Sequence, residues 1–173
     1  MWQRDTYHDC ASELEQASDR FREAIVCRQA VDSQENTREL VSSSKDGADL
    51  LKILALSVRP EQDFGLLPHS NRQVGTLVSN ANSNEIQSAL TGSTTPPVVV
   101  PRAEPLGLRE ALNKIAHMDP RPGKSSFAAD HLRHEVVLTG EKGGRNWIAI
   151  LDIPRLCEAI KALPDRTIVP TAE

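Results

Sequence analysis

HEVVLTGEKGGRNWIAILDI, residues 134–153, is the stretch whose reading decides the fold. Two runs rich in Val, Ile and Leu, residues 134–140 and 145–153, flank Glu141-Lys142-Gly143-Gly144. Two such runs joined by a short glycine loop predict an antiparallel β-hairpin. In the second run Trp147, Ala149 and Leu151 share one face, and Ile148 and Ile150 the other. Both faces are apolar and both want cover, so this strand belongs to a core.

Working outward, Asp152 reads as the cap of a following helix, with Pro154 in its first turn and Leu156, Ala159, Ile160 and Leu163 turned inward. Residues 164–173 read as a loose tail. On the other side, a loop rich in Pro, Gly and Ser (DPRPGKSS) separates the hairpin from a helix over residues 106–118. Residues 106–163 thus predict a helix–β-hairpin–helix module.

The N-terminal part reads differently. Cys10, Leu14, Ala17, Phe21 and Ala24 recur at helical spacing and predict an amphipathic helix over residues 9–30, capped by Thr6 or Asp5. Asp32 with Glu35 has capping-box spacing and opens a second helix. That helix meets Ser42-Ser43-Ser44 and Gly47, where a kink or break is expected, resumes in ADLLKILALSV and ends before Pro60. The two form an antiparallel helical hairpin turning at residues 31–33. In the weaker stretch 59–104, Val74, Leu77 and Val78 suggest one helical face, and Ile86 with Leu90 another. Residues 92–105 hold four prolines, Pro96, Pro97, Pro101 and Pro105, and read as an extended linker. Val98–Val100 would lie along a partner or a sheet edge. The expected class is α+β, mainly α: a helical region 1–91, a proline-rich linker 92–105, the module 106–163 and the tail.

Composition narrows the function classes. Of 173 residues 39% are hydrophobic and only 3% aromatic, so the core must be built from Leu, Ile, Val and Ala. No run approaches the roughly 20 apolar residues that span a bilayer, and the polar start MWQRDTYHDC lacks the apolar segment of a secretory signal. Cys10, Cys27 and Cys157 are an odd number without CxxC spacing and read as reduced, buried thiols of a cytoplasmic protein. The net charge of −4 argues against a constitutively basic nucleic-acid surface. The charge is mildly uneven: residues 1–104 hold ten Lys or Arg against fifteen Asp or Glu, and residues 105–163 nine against seven.

Candidate chemistry centres on LREALNKIAH, residues 108–117. On a wheel of about 100° per residue, Leu108, Ala111, Leu112 and Ile115 cluster, while Arg109, Asn113 and His117 form a stripe off that face. Asn113 could hold one ring nitrogen of His117 and fix its tautomer. The functional reading of this stripe is a general acid/base histidine with a positioning amide and a cation for a phosphate. The plainer reading is a solvated helix face whose terminal histidine favours the helix dipole. A second cluster, DHLRH, offers Asp130, His131 and His134 as zinc ligands, with His117 and Asp119 to complete a site. Residues three apart on a strand point to opposite faces, which disfavours chelation. GEKGGRNW has glycines without the strand–GxGxxG–helix context, and no Walker, GxSxG or HExxH motif occurs. No cofactor or metal is expected.

The order of this helix, Gly-Gly before Asn-Trp, and LDIPRLCEAI resembles a group of uncharacterised bacterial proteins that share an NKI-x-H helix, a strand pair and a terminal helix. The resemblance covers roughly residues 106–163 and implies no established activity. Asn113-x-x-x-His117 also resembles half of the motif of the HEPN superfamily, many of whose members are helical, dimeric, metal-independent ribonucleases of defence or toxin–antitoxin systems. That motif wants an arginine where this chain has Leu112, with Arg109 one turn away. The expectation is a non-catalytic interaction module, partnered by a protein or by a second copy. The alternative is a divergent HEPN-like ribonuclease acting on RNA through His117, Asn113 and Arg109.

Overall fold

The computed structural model describes residues 6–31 and 33–164. Two long helices, α1 (Tyr7–Ala30) and α2 (Gln34–Asp63), come first. They are followed by β1 (Gln73–Ser79), α3 (Ser83–Thr91), β2 (Glu104–Gly107), α4 (Leu108–Ala116), β3 (Ser125–Ala129), β4 (His134–Lys142), β5 (Arg145–Asp152) and α5 (Ile153–Lys161). The strands form one antiparallel sheet in the order β2-β1-β5-β4-β3. The class is α+β, and the sheet is larger than the expected hairpin.

The hairpin itself forms where the sequence places it. Lys142 pairs with Arg145, and the two residues between them, Gly143 and Gly144, have φ of 60° and 75°. Positive φ at both central positions is the geometry whose twist suits a two-residue hairpin, and only glycine adopts it without strain. Both faces of β5 are covered, as its composition demands. Trp147, Ala149 and Leu151 enter the main core with α1, α2, α4 and α5. Ile148 and Ile150 meet Val78, Ala89, Val100 and Val137 on the opposite face.

That second face is covered by α3 and by the proline-rich stretch. Val98 and Val100 pack there, and Arg133 Nη2 donates to Pro96 O at 3.1 Å. β2 follows directly. Pro105 is tolerated because β2 is an edge strand, pairing only with β1.

Several local expectations are corrected. Val74, Leu77 and Val78 lie on a strand, not a helix. The register shifts between Gln73 and Gly75, so Val74 joins Leu77 at the helical layer while Val78 faces α3. The helix expected over 106–118 is shorter, because Leu106 and Gly107 are taken by β2. α2 runs unbroken through Ser42–Gly47 and past Pro60. The Ser43 hydroxyl donates to Glu39 O at 2.6 Å, so the serine is satisfied inside the helix, and Leu40 and Leu50 anchor it on either side. Pro60 sits one turn from the end and still accepts the Phe64 N–H at 2.9 Å.

Caps follow the sequence in part. Thr6 Oγ1 accepts from Asp9 N and Asp152 from Arg155 N, both at 3.1 Å. Ser33, not Asp32, caps α2; Asp32, like Asp5 and the tail beyond Pro164, lies outside the described residues. Cys10 and Cys157 are buried, whereas Cys27 is exposed on the outer side of α1.

Candidate functional site at the α2–α4 contact

α4 has no side-chain cap at Gly107 and is held by its apolar face. Leu108, Ala111 and Leu112 are fully buried and Ile115 nearly so. Leu112, where the HEPN-like motif wants arginine, is therefore a core position. An arginine there would have to bury its charge among leucines.

The stripe Arg109, Asn113 and His117 does face away from the core, and α2 comes to meet its two ends. Arg109 Nη2 donates to Asp63 Oδ1. Asp63 Oδ2 lies 3.8 Å from Arg59 Nε, one turn back on the same helix. Arg59 Nη1 in turn lies 3.3 Å from His117 Nε2. A guanidinium can only donate, so Nε2 accepts and the ring proton sits on Nδ1. Arg109–Asp63–Arg59–His117 is thus one polar chain that clamps the last turn of α2 onto both ends of α4.

Asn113 takes no part in it. Its Nδ2 donates to Glu110 Oε2 at 3.4 Å, so the expected Asn113–His117 bond is replaced. His117 is the C-cap residue, with φ −115° and ψ 15°, and its ring meets Arg59 of α2. The partner actually chosen was invisible locally, because Arg59 lies 58 residues earlier in the chain. The only hint was the Arg59/Asp63 pair at i,i+4 spacing.

The charges of the cluster nearly cancel, with one cation in excess. Arg109 and Arg59 share Asp63, and Lys114 Nζ lies 3.1 Å from Glu110 Oε1. A phosphate approaching His117 would have to compete with Asp63 for Arg59 and Arg109. Lys114 is directed inward, where its Nζ lies 4.8 Å from the centroid of the Trp147 ring.

Beside this cluster, α2 leaves an apolar stripe uncovered. Ile53, Leu56 and Pro60 follow helical spacing toward Phe64, and Leu56 is 68% and Phe64 80% exposed. Leu66, in the loop after α2, is exposed as well.

The histidines of the DHLRH cluster do separate jobs. Asp130 Oδ1 accepts from Leu132 N at 2.8 Å and Arg133 N at 2.7 Å, closing the turn between β3 and β4. Those bonds hold its carboxyl below the usual range. His131 offers its backbone carbonyl to Arg22 Nη1 at 2.8 Å. His134 points into the helical hairpin, where its Nδ1 meets Ser18 Oγ at 2.9 Å. Among the described residues no group of three His, Cys, Asp or Glu is placed to hold a metal ion, and no helix is long and apolar enough to cross a membrane.

No family model, curated protein or solved structure matches this chain.

Proposed function

We propose that this protein is a non-catalytic interaction module that works through the exposed end of α2, and that the first partner of this surface is a second copy of the chain. The observation that carries the reading is the uncovered Leu56–Phe64 stripe beside Arg59 and Asp63. Aromatic, apolar and arginine side chains are the types that dominate binding energy at protein interfaces. The stripe also carries one cation and one anion a single turn apart. An antiparallel pairing about a two-fold axis would set Arg59 of each copy against Asp63 of the other, as a self-complementary interface requires.

Sedimentation velocity over a concentration series tests it. The wild type should shift from monomer to dimer, and Leu56→Glu with Phe64→Ser should remain monomeric with unchanged circular dichroism. A wild type that stays monomeric at every concentration rules out self-pairing.

A second reading has one specific observation in its favour. Arg59 supplies, from another helix, a cation beside His117, the element that Leu112 denies to the HEPN-like motif. In that reading the chain is a metal-independent ribonuclease with His117 as general acid/base and Arg59 and Arg109 as phosphate cations, Asn113 orienting the substrate. Expression of wild type, His117→Ala and Arg59→Ala, scored for growth and total RNA integrity, separates the two. The interaction module predicts three identical outcomes. The ribonuclease predicts RNA loss with the wild type alone.

A further inference from the structure

Between the helical hairpin and the β3–β4 half of the sheet lies a cavity of about 370 Å³. The middle of its helical wall is made of small residues, Ala17 and Ser18 on α1 and Ser43, Ser44, Gly47 and Ala48 on α2, flanked by Leu14, Phe21 and Leu51. This is the SSSKDGA segment that reads in sequence as a helix break. The helix is continuous, so the small residues do not interrupt it. They withhold side-chain volume from a position where a helix facing a sheet normally fills the gap.

Phe21 on α1 stands at the edge of this small face, and the sheet wall opposite is aromatic and aliphatic. Phe21 stacks on His134 with centroids 4.6 Å apart and planes 11° from parallel, and Phe127 meets Phe21 edge-on at 4.5 Å. Val136 and Leu138 continue this wall along β4, and Ile115 and Met118 close the floor. Ser44 and Ala48 are exposed, so the cavity opens past α2.

The chemistry of the lining limits the guest. No Asp, Glu, Lys or Arg is among the lining residues, so a charged guest would lose its hydration without gaining a counter-ion. The serines add less polarity than their number suggests. Ser43 is committed to Glu39 O, and Ser126 Oγ donates to Ala89 O at 3.4 Å. Ser44 and Ser125 are exposed, so the polar feature of the interior is the Ser18–His134 pair; with Nδ1 on Ser18, Nε2 is the ring's remaining hydrogen-bonding atom. Burial holds His134 down to about 4, so the ring is neutral at physiological pH. The volume is more than twice the roughly 150 Å³ of an apolar cavity that takes benzene, and it falls in the range of small-molecule sites.

We infer that this cavity is a binding site for a neutral, planar aromatic molecule of two or three rings. Its ring system lies against the Phe127–His134 wall, and a single hydrogen-bonding group is directed at Ser18 and His134. The site lies between α1, α2 and the sheet and is independent of the α2 stripe and the α2–α4 clamp.

The test uses the full chain with 2-naphthol and 2-naphthoate, which share a ring system and differ in charge at neutral pH. Isothermal titration should show saturable one-to-one binding of 2-naphthol, with 2-naphthoate weaker by at least about tenfold. Gly47→Leu places a side chain in the cavity. A Cβ at Gly47 meets only Leu14 Cδ1, at 3.9 Å, and leucine is the better helix former, so the variant should fold at least as stably as wild type. It should weaken 2-naphthol by at least about tenfold. If it fails to fold, Ser44→Trp at the mouth reports in its place. Absence of saturable 2-naphthol binding, equal binding of 2-naphthoate, or undiminished binding by a folded Gly47→Leu protein would each overturn the assignment.

Discussion

Gly140 and Trp147 face each other across β4 and β5, and a Cβ on Gly140 would stand 2.2 Å from Trp147 Cζ2 and 2.9 Å from His117 O. The indole therefore occupies the space a side chain would need, and the backbone leaving α4 closes it from the other side. Gly140→Ala should destabilise the fold by at least about 1–3 kcal/mol, the usual cost of overpacking a core. Urea denaturation followed by circular dichroism measures it. Adding Trp147→Leu should return part of the loss, because it removes the colliding ring.

Lys114 lies over the same indole, almost entirely buried, with Glu110 as its ion-pair partner. Its alkyl stem fills core space while the ammonium sits on the ring face. Lys114→Ala should cost about 1–3 kcal/mol, and Lys114→Met, which keeps the stem, distinctly less. A double-mutant cycle with Trp147→Leu isolates the charge–ring part. Equal losses for Ala and Met would show that packing contributes nothing.

Stability should fall in mild acid because of His134. Desolvation is the main cause of its lowered pKa, about 4, with the Arg22 guanidinium adding to it. Above the ordinary histidine value both folded and unfolded states are neutral, and no penalty exists. As pH falls from about 6.5 toward 4, the unfolded chain takes up a proton that the folded chain refuses, and stability drops by on the order of a few kcal/mol. Below about 4 both states are protonated and this loss is complete. His134→Phe keeps the stack on Phe21 and removes the titration. Its unfolding free energy should therefore be flatter between pH 7 and about 4.

The start of α3 is tied to the proline-rich stretch through Arg102. Asn82 Oδ1 accepts from Glu85 N at 2.9 Å, and Glu85 Oε2 accepts from Asn82 N at 2.8 Å. Arg102 donates to both Glu85 oxygens at 2.8 Å and reaches Ser79 O and Asn80 O. The Arg102 and Asn82 bonds hold the Glu85 carboxyl down to about 2. Asn82→Ala should cost about 0.5–2 kcal/mol, the range for a lost helix cap. Arg102→Ala should speed amide exchange over α3 and residues 98–103 with little effect on α1, read by hydrogen–deuterium exchange.

The candidate site was legible only on its own helix. Arg109 and His117 stand off the apolar face of α4, where the wheel puts them, and Leu112 is core. Arg59 and Asp63, which engage both ends of that stripe, could not be found from it. Their selection depends on how α2 crosses α4, and the residues in contact are 46 and 58 positions apart.

By itself the sequence determined the elements whose pattern is complete within one segment: the α1–α2 hairpin, the β4–β5 hairpin with its Gly143-Gly144 turn, and α5 with its Asp152 cap. Period, caps and turn glycines are local physics. Only the tertiary structure decided that β1, β2 and β3 join the hairpin in one sheet. Gln73–Ser79 has too few apolar residues to separate strand from helix, Ser125–Ala129 is mostly Ser and Ala, and Glu104–Gly107 contains a proline. Such segments become strands because a neighbouring edge offers hydrogen bonds and a core offers cover, and both come from distant parts of the chain. The same holds for the SSSKDGA segment. Its residues specify a small helix face, and the sheet opposite makes that face a cavity.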